Sequence, residues 1–233
     1  MSASETSPRR VGPLIAWLVF VGMLALIAYA GRLSGAETPD DVAYQWSSSI
    51  LGFIQYWFFL VVIVAIALIS RMELREAFAL RAPRSWPRAL GLAVLALVVI
   101  YVGAFVYEQV LSLFGDWSAT DEQGLVPQGW DSSRAAPFIA FFLVVTLLAP
   151  VVEELTYRGL GISLLEPWGA ALAVIVTGVL FGAAHGLIVG FPILAFFGIV
   201  LGWLRVRTDS VLPGIVLHAT FNGIALIAAV SGA

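Results

Sequence analysis

The sequence has no cysteine and no lysine, and only 12% of its 233 residues are charged. Without cysteine the chain forms neither a disulfide nor a thiolate metal site, and it has no cysteine nucleophile. All twelve basic residues are arginine and the formal net charge is −3, so no basic stripe is present that could follow nucleic-acid phosphates. Nucleic acid is therefore not an expected partner, and any catalysis must use carboxylate, imidazole, hydroxyl or amide groups.

Apolar residues, in contrast, make up 61% of the chain, and the mean hydropathy is +0.97. A chain with so few polar residues cannot cover a water-soluble surface. Long apolar runs lie near residues 11–30, 50–70, 89–114, 136–165, 169–185, 191–204 and 212–230. Because a membrane crossing takes about 20 residues, we predict an all-α polytopic protein with about seven transmembrane helices, forming one integral domain over residues 1–233 of the chain.

The distribution of arginine predicts how the helices are oriented in the lipid bilayer. Ten of the twelve arginines fall on or near one side of the predicted arrangement, whereas Arg32 and Arg134 fall on the other. The positive-inside rule then places the N-terminus in the cytoplasm of a multi-pass cell-membrane protein. The first run ends in Ala28-Tyr29-Ala30, which resembles a signal-peptidase site, but its apolar stretch is long for a signal peptide. We therefore favour a retained first helix over a cleaved one.

Three ionisable residues, Glu153, Glu154 and Arg158, follow directly on the apolar run that begins near residue 136. In one interpretation the helix ends at Pro150 and these charges are interfacial. In the other, the helix continues past them and the charges lie deep in the bilayer. The lack of any further charge before Glu166 favours the deep interpretation. Ionisable groups inside a bilayer are expensive, so they point to a functional site.

The two histidines of the chain lie in later apolar runs. A hairpin that turns near Pro167 would place Glu153 and His185 at similar depths, roughly 21 and 27 Å above the turn. His218 lies nearer the start of the last run, with Asn222 four residues later on the same helical face. His218 reaches the glutamates only if the last helix begins early or tilts.

The two adjacent glutamates have different local partners. Glu154 and Arg158 form an i,i+4 pair that can neutralise its own charge, so we assign these residues a structural supporting role. Glu153 points about 100° away and is left without a local partner. Phe181 precedes His185 by four residues and either walls the same site or is an ordinary core residue.

The spacing of these residues resembles the three motifs of the CAAX protease and bacteriocin-processing family, which are intramembrane glutamic endopeptidases. The motifs read here Glu153-Glu154-x-x-x-Arg158, Phe181-x-x-x-His185 and His218-x-x-x-Asn222. The resemblance covers about residues 135–231 as a catalytic core, while residues 1–134 look like variable leading helices.

The resemblance implies a role for each motif residue. It implies that Glu153 activates water with the help of His185, and that His218 and Asn222 stabilise the oxyanion. The general chemistry agrees, because amide hydrolysis needs a base for water and donors for the developing oxyanion. A serine mechanism would need a comparably placed hydroxyl, which the motifs lack.

Zinc is the alternative cofactor assignment. Glu153, His185 and His218 would form a His2Glu ligand set of the kind that holds catalytic zinc, although no H-E-x-x-H helix is present. We favour a metal-free site, because second-shell carboxylates for two ligand histidines are hard to name from the sequence.

These features predict an intramembrane endopeptidase whose site lies within the helical bundle and opens towards the cytoplasm. The expected substrate is a membrane-associated protein or peptide, prenylated at a CAAX-like end or bearing a leader. The alternative is a non-proteolytic membrane scaffold or immunity protein that retains the polar cluster. Transport ranks last, because the two halves of the chain show no matching pair of broken helices.

Overall fold

The computed structural model describes residues 8–35, 41–115, 117–119, 122 and 129–231. Within these ranges the regular structure consists of helices, with no strand, so the predicted all-α class is confirmed. The long helices are α1 (Pro8–Leu33), α2 (Trp46–Ile69), α3 (Trp86–Ser112), α4 (Ser132–Trp168), α5 (Ala170–Ala183), α6 (Phe191–Thr208) and α7 (Leu212–Ser231). A short helix, Leu74–Ala77, lies between α2 and α3.

Six of these helices are long and apolar enough to cross a membrane, which confirms a polytopic membrane protein. The exception is α5, whose 14 residues span about 21 Å, less than the hydrocarbon core of a bilayer at about 30 Å. The predicted count of seven transmembrane helices therefore stays a prediction.

Helix α4 continues for 37 residues and passes through Pro150. The interpretation in which the helix ends at Pro150 is therefore wrong. Proline removes one backbone donor from a helix, and here the backbone shifts to wider turns, with π-helical segments at Val144–Leu148 and Leu155–Gly161. Glu153 and Glu154 lie on the α-helical turn between the two segments.

Helices α5 and α6 pack backbone to backbone. A Cβ atom built on Gly198 would lie 2.7 Å from the Cα of Gly178, and one on Gly182 would lie 2.7 Å from the backbone nitrogen of Ala195. No real side chain fits at such distances. Gly178 and Gly182, four residues apart on α5, therefore let the backbones of α5 and α6 approach closely.

Helix α1 is an integral part of the bundle. The Trp17 and Val21 side chains are fully buried, and the indole Nε1 of Trp17 donates to the carbonyl of Thr156 in the second π-helical segment of α4, at 3.0 Å. A Cβ atom on Gly161 would lie 2.5 Å from the Trp17 ring, so the indole packs there because residue 161 has no side chain. Retention of the first helix stays a prediction.

Ion pairs join the loops at each end of the bundle. At one end Arg134 contacts Asp41 at 2.5 Å and Asp131 at 2.6 Å, and we call these three residues the Arg134 cluster. At the other end Arg81 contacts Asp209, also at 2.5 Å. The Arg134 cluster is partly exposed, and hydrogen bonds from Ser133 and Arg134 lower the pKa of Asp131 to about 2.

Candidate active site

The first π-helical segment of α4 explains the position of Asn222. In this segment the N–H of Ala149 donates to the carbonyl of Val144, five residues earlier. In the same pattern the N–H of residue 150 would donate to the carbonyl of Val145. Pro150 has no N–H, so that carbonyl lacks a backbone donor. The Nδ2 of Asn222 on α7 donates to that carbonyl at 2.9 Å. Asn222 therefore attaches α7 to the first π-helical segment of α4.

Glu154 and Arg158 form the i,i+4 ion pair that their spacing predicts. The Nη1 of Arg158 donates to Glu154 Oε1 at 3.0 Å, and both side chains are fully buried. The Nη2 of Arg158 donates to the carbonyl of Gly198 on α6 at 2.8 Å, and the guanidinium carbon lies 4.5 Å from the centre of the Phe181 ring on α5. The pair therefore joins α4, α5 and α6.

His218 on α7 completes this buried network. Its Nδ1 lies 3.2 Å from Glu154 Oε1, and its Nε2 lies 3.7 Å from Glu153 Oε2. Since a carboxylate accepts, the contact with Glu154 places a proton on Nδ1. We call Glu154, Arg158 and His218 the Arg158 cluster. The depth difference expected from the sequence does not keep His218 from the glutamates.

Gly214 lets α7 approach the glutamates closely. A Cβ atom at this position would lie 2.8 Å from Glu154 Oε2, so any side chain would displace the carboxylate or the helix. The His218 ring, one turn further along α7, is 4% exposed and packs against Phe197 and Phe181 with centroid distances of 5.0 and 5.7 Å. The apolar surroundings leave Glu154 and Glu153 as the groups facing the two ring nitrogens.

Glu153 accepts a hydrogen bond from α2, a helix that carries none of the three motifs. The hydroxyl of Tyr56 on α2 donates to Glu153 Oε1 at 2.6 Å. The Glu153 side chain is 16% exposed, so it is more accessible than Glu154. Sequence reasoning missed Tyr56, because it lies in an aromatic apolar run and no fixed spacing relates it to residues almost one hundred positions later.

His185 follows the end of α5 and is exposed on the bundle. Its Nδ1 lies 2.8 Å from the carbonyl of Phe181, and the two rings have a centroid distance of 4.7 Å. A carbonyl only accepts, so Nδ1 carries a proton and Nε2 of the neutral ring is an acceptor. The described partners of Glu153 are Tyr56 and His218, so the interaction of Glu153 with His185 stays a prediction.

The same contacts bear on the zinc alternative. Ligand histidines typically donate their second ring nitrogen to a carboxylate or a carbonyl, and His218 and His185 contact Glu154 and Phe181 in this manner. However, no group of three or more histidine, aspartate and glutamate side chains in the described part of the chain is arranged to hold a metal ion. Zinc therefore stays an alternative for experiment.

Together these contacts define a class of protein: a membrane-embedded helical bundle with carboxylate, imidazole and guanidinium groups in its interior. Residues 135–224 match a family described as Rce1-like, type II CAAX prenyl endopeptidase. This part of the chain, fewer than half of its 233 residues, is therefore similar to a family of CAAX prenyl endopeptidases. All the motif residues lie within the matched range, whereas Tyr56 and Trp17 lie outside it. No curated protein and no solved structure matches the chain.

Proposed function

We propose that the protein is an intramembrane glutamic endopeptidase in which Glu153 is the general base. The observation that carries the proposal is the difference between the two adjacent glutamates. Glu154 is fully buried and its charge is paired with Arg158. Glu153 is partly accessible, and its Oε2 faces His218 across 3.7 Å, which is too long for a direct hydrogen bond. That oxygen is therefore free to accept a proton from water.

In the proposed reaction Glu153 Oε2 takes one proton from water while the water oxygen adds to the scissile carbonyl carbon. The carbonyl oxygen becomes an oxyanion, and the proton on Glu153 passes to the leaving amine as the carbon–nitrogen bond breaks. His185, with Nε2 as an acceptor, assists in orienting the water. The atoms of one water molecule are thus divided between the new carboxylate and the new amine.

Two groups on α7 stabilise the oxyanion in this mechanism. Asn222 donates one amide hydrogen to the carbonyl of Val145, and the proposal assigns its second amide hydrogen to the oxyanion. His218 is the second of these groups, and its Nε2 faces the same space, 3.7 Å from Glu153 Oε2. Removal of one such donor lowers kcat by about 100- to 1000-fold in other enzymes.

The expected substrates are membrane-associated proteins or peptides, and the family description makes a prenylated CAAX-like end the first candidate. Two assays test this. Membranes from cells that carry the wild type or Glu153→Gln are compared for a peptide whose processing disappears in the variant. Purified protein in lipid vesicles is then given a farnesylated CAAX peptide and the same peptide without the prenyl group.

Loss of cleavage in Glu153→Gln, with normal folding and membrane insertion, supports the proposal, because glutamine keeps the shape of the side chain but is not a base. Identical peptide profiles would favour the scaffold or immunity protein. Loss of wild-type activity on chelation, restored by added zinc, would favour the metal alternative over a metal-free site.

We further propose a cell-membrane location with a cytoplasmic N-terminus and a site that opens to the cytoplasm, based on the ten-to-two distribution of arginine. Reporter fusions at Gly129 and Thr208 should then report opposite sides of the membrane. Reporters on the same side would contradict this topology.

A further inference from the structure

The hydrogen bond from Tyr56 makes the two oxygens of the Glu153 carboxylate different. Oε1 accepts from the tyrosine hydroxyl at 2.6 Å, whereas Oε2 faces His218 Nε2 at 3.7 Å. A hydrogen bond to a carboxylate at this length is of the strong, charge-assisted kind. The remaining described contact of Glu153, with His218, is too long for a hydrogen bond, so without Tyr56 the carboxylate can turn about its last torsion.

Aromatic contacts hold Tyr56 in turn. Its ring packs edge to face against Phe59, one turn along α2, with a centroid distance of 5.8 Å. Phe59 packs edge to face against Phe20 of α1 at 5.5 Å. A continuous series of contacts therefore runs from α1 through α2 to Glu153, and both of these helices precede the family-matched residues 135–224.

We propose that Tyr56 is a positioning residue of the peptidase site. By occupying Oε1, its hydroxyl presents Oε2 to the attacking water and keeps the Glu153 carboxylate directed at the space beside His218. The leading helices thus contribute a group to the site instead of serving only as a membrane anchor. This inference rests on the proposed function, since positioning has meaning only for a carboxylate that takes part in the reaction.

A purely structural tyrosine would behave differently from a positioning one. Its loss would lower the folded fraction, while each folded molecule would keep its kcat and KM. Loss of a positioning residue leaves substrate binding intact but misplaces the base, so kcat falls while KM is unchanged. The division between kcat and KM, measured per folded molecule, therefore separates the two roles.

The kinetic test compares Tyr56→Phe with the wild type as full-length protein in lipid vesicles, on the farnesylated CAAX peptide or on a peptide identified with Glu153→Gln. We expect kcat to fall about 10- to 100-fold with KM unchanged. Tyr44→Phe is the matched control, because it loses a hydroxyl hydrogen bond of 2.6 Å, to Gly129, near the Arg134 cluster. It should keep its kcat. An unchanged kcat in Tyr56→Phe, or a change in KM alone, overturns the proposal.

A second measurement does not depend on activity. The melting temperature in detergent is measured for Tyr56→Phe in the wild-type background and in the Glu153→Ala background. If the two side chains interact, Tyr56→Phe lowers the melting temperature in the first background and changes it less in the second. Equal shifts show no interaction and overturn the proposal.

The two measurements distinguish failure of this inference from failure of the proposed function. If the wild type cleaves and Glu153→Gln does not, but Tyr56→Phe keeps its kcat, the inference fails and the peptidase stands. If Glu153→Gln cleaves as well as the wild type, the proposed function fails and the positioning role fails with it, while the melting temperatures still report the contact.

Discussion

The Arg134 cluster and the Arg158 cluster are built from the same kinds of groups, but their surroundings differ. Arg134 contacts Asp41 and Asp131 at 2.5 and 2.6 Å, and these three side chains are 34–43% exposed. Arg158 contacts Glu154 at the longer distance of 3.0 Å, yet both side chains are fully buried. The shorter contacts therefore belong to the Arg134 cluster, where water and salt screen the charges.

The comparison teaches that burial, more than distance, determines what each network contributes. If one member of the exposed Arg134 cluster is lost, water solvates the charges that remain. If one member of the buried Arg158 cluster is lost, an uncompensated charge stays in the interior, a situation that is strongly destabilising in other proteins. The same contrast separates the fully buried Glu154 from the partly accessible Glu153, to which we assign the proposed role of the base.

The largest expected effect comes from breaking the buried pair. Arg158→Leu leaves the Glu154 carboxylate without its cation, so the free energy of unfolding should fall by about 3–5 kcal/mol. Unfolding in detergent, followed by denaturant titration, measures this loss. Combining the change with Glu154→Leu should restore part of it, because neither charge is then stranded. A double variant as unstable as the sum of the two single variants would contradict this account.

The next effect concerns the space beside Glu154. Gly214→Ala places a Cβ atom 2.8 Å from Glu154 Oε2, so we expect a loss of about 1–3 kcal/mol from overpacking. Gly223→Ala is the matched control on the same helix, because its Cβ atom would meet its nearest neighbours at 4.0 Å. It should be neutral or slightly stabilising, since alanine favours a helix over glycine. Equal melting temperatures for the two variants would show that α7 is not held closely at Gly214.

A similar loss is expected at Asn222, for a different reason. Asn222→Ala removes the donor to the Val145 carbonyl and should lower the free energy of unfolding by about 1–3 kcal/mol, besides any loss of activity. In a Pro150→Ala background, the new backbone N–H at position 150 can take over that carbonyl. The stability loss from Asn222→Ala should then be smaller while the activity loss remains. Equal losses of stability in both backgrounds would show that the Val145 carbonyl does not depend on Asn222 for its hydrogen bond.

The smallest effect is expected in the Arg134 cluster. The pKa of Asp131 is about 2, below the usual 3.8, so its ionised form favours the folded state. That contribution is present above the usual pKa and is lost as pH falls through about 2. Asp131→Asn should therefore change the melting temperature only slightly at pH 7, and the difference from the wild type should shrink as pH falls through about 2 and also at high salt. A loss at pH 7 as large as that of Arg158→Leu would refute the comparison.

The sequence indicated most of the candidate site but not its contacts. The i,i+4 spacing led to the pair of Glu154 and Arg158, because helical neighbours follow from backbone geometry alone. It also left Glu153 without a local partner, and its observed partners indeed lie on other helices. For His218 the sequence allowed contact with the glutamates only if the last helix began early or tilted. Helix α7 approaches α4 closely at Gly214.

The amino-acid sequence by itself determined the class of protein. Its apolar composition requires a lipid bilayer as surroundings. In a bilayer the backbone groups must form their hydrogen bonds within the protein, which helices achieve, and the helical period then sets which side chains share a face. Only the tertiary structure decided which distant groups meet. Three hydrogen bonds join residues that are far apart in the chain. They run from Asn222 to the carbonyl of Val145, from Trp17 to the carbonyl of Thr156 and from Tyr56 to the carboxylate of Glu153. Their meeting depends on how whole helices pack, and no local spacing encodes that packing.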